Sequence, residues 1–172
     1  RMCIHLRCVV SNHRLLIHGR VNPNQPGDVR FVIDELLRLS GKKGVIAGRV
    51  DANHIGVAGQ SLGGLTTLGV TFNTCCRDPR IKVAIIMAAP RLSFPGGEYD
   101  LSGVPFLGIH GTSDPLVPYR LGRATYEEAS TPKHFLTLEK AGHLEAYTNT
   151  SSRYDDVVTA ASIDFWDAYL GG

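Results

Sequence analysis

Charge of one sign is in short supply in this chain. Its 18 Lys and Arg against 16 Asp and Glu leave a formal net charge of +2. The basic residues are scattered, with no aromatics interleaved, so no nucleic-acid surface is expected. No apolar run reaches about 18 residues, which excludes a predicted membrane-spanning helix. The opening Arg1-Met2-Cys3-Ile4-His5 lacks the apolar stretch of a secretory leader, which favours the cytoplasm while leaving a secreted mature form open. Cysteine is sparse as well: Cys3, Cys8, Cys75 and Cys76 are too few for a disulfide scaffold. Cys3 and Cys8 have no partner pair at zinc-binding spacing, and neighbouring Cys75 and Cys76 would be strained if bridged, so free thiols are expected. There is no Gly-x-Gly-x-x-Gly and no lysine completing a phosphate loop, so no cofactor and no metal are expected. Internal repeats and low-complexity tracts are missing too.

What is present is an ordinary globular composition, 43% hydrophobic and 20% charged over 172 residues. That length suits a single domain, residues 1–172, able to bury a core. Residues 1–26 are its least legible part, with short apolar runs at 8–10 and 15–17 and a turn-rich link around Pro23, Pro26 and Gly27. Asp28 reads as the N-cap of a helix over 29–39 whose apolar face is Phe31, Val32, Leu36 and Leu37. Strands are expected at 55–58, 81–88, 104–110 and 134–138, and helices at 62–71, 119–130 and 154–170. The last helix should turn Val157, Val158, Ala161, Phe165, Trp166 and Leu170 inward. Strands alternating with helices predict an α/β fold of three layers around a mostly parallel sheet, with the loops at the strands' C-terminal ends building the site.

The first of those strands runs into Gly59-Gln60-Ser61-Leu62-Gly63-Gly64. Gly-x-Ser-x-Gly between an apolar strand and a small-residue helix is the pattern of a nucleophile elbow. The serine sits on a sharp turn with strained backbone angles, and side chains two positions away would collide with the strand and the helix. Its hydroxyl is lifted clear of the sheet near the positive end of a helix dipole. A serine hydroxyl is a weak nucleophile at neutral pH, so it needs a base and something to orient that base. Asp114 follows the third strand and His143 the fourth, at the same end of a parallel sheet as Ser61. Ser61 as nucleophile, His143 as general base and acid, and Asp114 holding the other ring nitrogen make a complete acyl-transfer set in the chain order serine, acid, histidine. The other histidines fit less well: His54 lies at the opposite end of the sheet, His110 at a strand end, His134 at a strand start, and His5 and His13 in the obscure first region.

Those three blocks, with Gly111-Thr112-Ser113-Asp114-Pro115-Leu116-Val117-Pro118 and Ala141-Gly142-His143 written out, resemble the motif blocks of the α/β-hydrolase superfamily. More closely, residues 26–34 and Phe165-Trp166-Asp167-Ala168-Tyr169-Leu170 resemble helices of lipase-like and dienelactone-hydrolase-like esterases. The likeness covers residues 26–172. It implies a carboxylic ester hydrolase working through an acyl-serine, because dienelactone hydrolases carry cysteine where this chain has Ser61. The elbow implies the Leu62 backbone N–H as an oxyanion donor. The second donor normally comes from a His-Gly turn within several further strands ahead of the elbow. Here residues 1–26 stand in their place, so the sheet is expected to be reduced on its N-terminal side. Leu15-Leu16-Ile17-His18-Gly19-Arg20 is either a compressed version, offering the N–H of Gly19 or Arg20, or a chance likeness. Pairing of two chains into a homodimer would cover the open sheet edge.

No long insertion separates the second and third strands, so an open site without a large lid is expected. Leu62, Phe94, Leu116, Val117, Leu144 and Tyr147 are its expected walls, apolar and suited to short or medium acyl esters as small-molecule substrates. A peptidase or thioesterase on the same residues is one alternative; a catalytically impaired hydrolase serving as an interaction module is the other.

Overall fold

A computed structural model describes residues 24–147 and 152–171. In chain order these form α1 (Gln25–Ser40), β1 (Ile55–Gln60), α2 (Leu62–Phe72), β2 (Ile81–Met87), β3 (Phe106–Gly111), α3 (Tyr119–Glu128), β4 (Lys133–Leu138) and α4 (Asp155–Leu170). The strands pair in the order β1-β2-β3-β4, parallel throughout, with Gly59 beside Ile86, Ile86 beside Gly108 and Ile109 beside Leu136. The predicted α/β architecture is what the chain adopts, with a sheet of four strands among the described residues.

Alternation along the strands divides the core into two layers. Ile55, Val57, Ala84, Ile86 and Phe106 point to the face covered by α1, α2 and α3, where Val29, Ile33, Leu68 and Phe72 meet them. Val83, Ile85, Leu107, Ile109 and Leu138 point to the other face, filled by Val158, Phe165, Trp166 and Leu170 of α4. Close approach of that helix requires Gly56, since a Cβ there would lie 2.3 Å from the Trp166 ring. The connection from β2 to β3 has no helix. It folds back over α2 through Phe94 and Tyr99, whose rings meet edge to face with centroids 6.3 Å apart.

Four expectations are corrected. The helix expected over 29–39 begins at Gln25, because Pro26 in its first turn needs no N–H partner and already has a helical φ. Its buried row is Gln25, Val29 and Ile33 rather than the row through Phe31, which is 64% exposed. The Thr66 hydroxyl donates to Gln25 Oε1 at 3.1 Å, so a polar contact sets the rotation of α1 on α2. On α4, Val157 is 44% exposed and Val158 takes the inward position. Cys75 and Cys76, expected as free thiols, are joined as a disulfide in the turn after α2, where Asn73 Oδ1 accepts the Cys75 N–H at 3.1 Å. That turn brings the two sulfurs together, which adjacency in sequence does not decide. The expected runs at 8–10 and 15–17 lie outside the described residues.

Two linked ion pairs tie the α2–β2 loop to α1. Asp78, buried in the α2–β2 loop, accepts from the Arg80 guanidinium and from the Arg80 backbone N–H at 3.0 Å, and Arg80 reaches on to Asp34 of α1 at 2.6 Å. The Arg80 guanidinium holds the Asp78 carboxyl below its ordinary value of 3.8. A depressed folded-state value means stability that is present above the unfolded value and lost as pH falls through the folded one. Asp78→Asn should therefore cost about 1–3 kcal/mol at neutral pH, as expected for a hydrogen bond to a charged group. The gap from wild type should close in acid below about pH 3.8. Urea unfolding at both pH values measures it, and a gap independent of pH would contradict the ionic origin.

Candidate active site

Between β1 and α2 there is room for one residue, Ser61. Its backbone is strained, with φ 57° and ψ −119°, a region that non-glycine residues rarely enter. The Ser61 N–H donates to Met87 O at 2.9 Å and the Ser61 carbonyl accepts from Leu65 N at 3.0 Å, so the turn is bolted to β2 on one side and to α2 on the other. A Cβ on Gly59 would lie 2.1 Å from Gly63 O, and one on Gly64 would lie 2.5 Å from Ala89 Cβ. Ser61 occupies the N-cap of α2, yet its side chain makes no capping hydrogen bond. The hydroxyl is left for another partner, and the first N–H groups of the helix, beginning with Leu62, have none within the helix.

That partner comes from three strands away, in the loop after β4. His143 Nε2 lies 2.9 Å from Ser61 Oγ, and His143 Nδ1 lies 2.7 Å from Asp114 Oδ2. A carboxylate only accepts, so Nδ1 carries the proton and Nε2 presents its lone pair to the serine O–H. Asp114 is held from its other side as well. Its Oδ1 accepts the N–H groups of Leu116 at 2.9 Å and Val117 at 2.8 Å, and its side chain is fully buried. The β3 and β4 loops are laced together by Ser113 N–H to Ala141 O at 3.1 Å and Lys140 N–H to the Thr112 hydroxyl at 2.8 Å. Parallel strands put all three loops at one sheet end, and these bonds set the spacing of the Asp114 and His143 loops.

Two further groups support the set. His110, 1% exposed, donates Nε2–H to Val117 O at 2.9 Å, and the same nitrogen is 3.4 Å from Asp114 Oδ2. Gly122 of α3 makes the space, since a Cβ there would lie 2.3 Å from His110 Nδ1. Tyr147 donates its hydroxyl to Ile109 O at 3.1 Å, and burial, with the Asp114 carboxylate nearby, pushes its phenol above the ordinary value so that it stays a neutral donor. Neither role was visible in sequence. His110 reads there as a strand-end histidine, and only its burial shows what it braces.

The expected walls separate on inspection. Leu116 and Leu144, in the loops of Asp114 and His143, are 61% and 54% exposed. Val117 is 3% exposed, and Leu62 is half-buried against Leu65, Cys76 and Phe94. Phe94 does not line the site. It is 2% exposed and packs over Gly69, where a Cβ would lie 2.6 Å from its ring, because the β2–β3 connection folds onto α2. Tyr147 is half-buried and spends its hydroxyl as a brace. Gly19 and Arg20, the candidates for a second oxyanion donor, lie outside the described residues. Among the described residues no group of three or more His, Cys, Asp or Glu side chains is placed to hold a metal ion, and no helix is long and apolar enough to cross a membrane.

No family model matches the chain. Among curated proteins it is similar to the uncharacterized protein YfhR of Escherichia coli K12, at 31% identity over 75 residues, 42% of this chain and 25% of that protein. The matched stretch thus spans a quarter of that relative's length. Among solved structures it is similar to an esterase of Thermogutta terrifontis, with a TM-score of 0.63 and 17% identity over 85% of this chain and 62% of that one. It is also similar to the Pyrococcus horikoshii acylaminoacyl peptidase, with a TM-score of 0.65 and 19% identity over 89% of this chain and 30% of that one. Arabidopsis thaliana SOBER1 matches with a TM-score of 0.53 and 20% identity, over 78% of this chain and 60% of that one. With a parallel sheet of four strands among the described residues, helices on both faces and a strand-serine-helix elbow, the chain has the α/β-hydrolase fold.

Proposed function

We propose that this chain hydrolyses carboxylic esters through an acyl-serine intermediate. The observation that carries the reading is the continuous hydrogen-bonded line from Ser61 through His143 to Asp114, at 2.9 and 2.7 Å. His143 Nε2 takes the Ser61 proton as Oγ attacks the ester carbonyl carbon. The tetrahedral oxyanion is met by the Leu62 N–H at the positive end of α2. Asp114 stabilises the imidazolium and keeps its ring oriented. When the intermediate collapses, the bond to the leaving oxygen breaks and His143 returns its proton to the alkoxide. Water, deprotonated by the same imidazole, then cleaves the acyl-serine and regenerates the hydroxyl.

The exposed Leu116 and Leu144 favour an apolar acyl chain of short or medium length over a charged substrate. An amide or peptide bond is the second reading, supported by the likeness to acylaminoacyl peptidase. A fluorophosphonate probe tests the nucleophile: folded wild type should label at Ser61, and the absence of labelling would favour the alternative of a non-catalytic interaction module. A panel of p-nitrophenyl esters, a thioester and a peptide amide sorts the substrate class, with the short and medium esters expected to turn over fastest. A preference for the amide would move the assignment to a peptidase.

A further inference from the structure

The residue just before the nucleophile does something the serine pattern does not ask of it. Gln60 ends β1, and its side-chain amide donates Nε2–H to the backbone carbonyl of His143 at 2.7 Å, in a partly buried contact spanning 83 positions. Only the NH2 end of the amide can donate to a carbonyl, so the orientation of the group follows from its partner. The contact reaches from β1 across the ends of β2 and β3 to the loop after β4, directly joining the nucleophile's own strand to the main chain of the base. The rest of that loop is fixed mainly to β3, through Ala141 O and the Tyr147 hydroxyl. Those bonds set His143 against Asp114, but they do not span the gap to Ser61.

We infer that Gln60 is a positioning residue, a strut that sets the distance between the Ser61 hydroxyl and the His143 imidazole by holding the His143 carbonyl. The inference rests on the hydrolase reading above for its kinetic consequence, while its structural part stands apart from turnover. A loop free to drift by an ångström would lose in-line proton transfer, a loss of about 10- to 100-fold. Substrate binding at Leu116 and Leu144 would be little affected, so the loss should fall on kcat.

Gln60→Leu and Gln60→Glu test it in the full chain, each with its melting temperature taken. Leucine keeps the volume without a donor. Glutamate keeps the shape, but as a carboxylate it can only accept and repels the carbonyl. Both should label with fluorophosphonate about 10- to 100-fold more slowly than wild type at pH 8, with KM within about twofold. As pH falls toward the carboxyl range, the Glu-to-Leu rate ratio should rise, since a protonated carboxyl can donate again. A side chain that only fills space would give a ratio flat with pH. The second readout needs no turnover: the low-field proton resonance of the Asp114–His143 hydrogen bond, assigned by its loss in His143→Asn, should broaden or vanish in Gln60→Leu. Wild-type labelling in Gln60→Leu, or an unchanged resonance there, would overturn the strut. A folded wild type that never labels would remove the hydrolase reading, and the resonance comparison would still decide the role of Gln60. Should Gln60→Leu not fold, Gln60→Glu measured against wild type across pH carries the same test.

Discussion

Ser61→Ala should lower ester turnover by about 10⁴- to 10⁶-fold and abolish fluorophosphonate labelling, the loss expected when a triad nucleophile is removed. His143→Ala should cost nearly as much. The informative variant is the double one. If Ser61 and His143 act as a unit, removing both should slow the reaction no more than removing either, because a base has no work without its nucleophile and the nucleophile is inert without its base. The residual rate would then belong to the Leu62 N–H and to substrate binding. Stability should hardly move, since alanine at position 61 inherits the same φ of 57° and the lost hydroxyl caps nothing. Single-turnover kinetics on the purified variants measure this. Losses that multiply in the double variant would mean that the two residues act in separate steps, and the proton relay would fail.

Gly59→Ala should damage both fold and site. Its Cβ would sit 2.1 Å from Gly63 O and 2.6 Å from Thr67 Oγ1, and the first of these is main chain in the opening turn of α2, which a rotamer change cannot relieve. Overpacking of this kind costs about 3 kcal/mol or more. In a chain of this size that lowers the melting temperature by roughly 6–12 °C. Whatever shift relieves the clash must move the elbow, so the 2.9 Å Ser61–His143 contact opens and turnover falls by about 100-fold even where the protein stays folded. Gly27→Ala is the control. Nothing lies within 4 Å of its added Cβ, so this change in the first turn of α1 should be neutral or mildly stabilising, by at most about 1 kcal/mol. Thermal melts of the pair separate steric conflict from the general effect of replacing glycine. Equal melting temperatures would contradict the packing account.

Local pattern carried the elements well where it was strong. The apolar run before Gly59 is β1, the run at 81–88 is β2 to within a residue, and the helix over 62–71 is α2, one residue shorter than observed. It failed where rotation about a helix axis was at stake. Phe31 and Val157 have the composition of core residues but stand on the outer faces of α1 and α4. Hydrophobicity ranks residues; the neighbours, Thr66 against Gln25 and Gly56 beneath Trp166, choose which row turns inward. Phe94 shows the same limit. An aromatic after a strand at the site's end of the sheet reads as a wall, and only the fold-back of its loop onto Gly69 buries it.

The order of serine, acid and histidine, the elbow glycines and the alternation of strand and helix belonged to the sequence by itself, because each motif is local and a single rule of parallel sheets puts the loops that carry them at one end. The tertiary structure alone decided which long-range contacts hold those residues at working distance: Gln60 on the His143 carbonyl and Tyr147 on Ile109. Such partners are tens of positions apart or ordinary in type, and a polar side chain carries no local signal of the carbonyl it will reach.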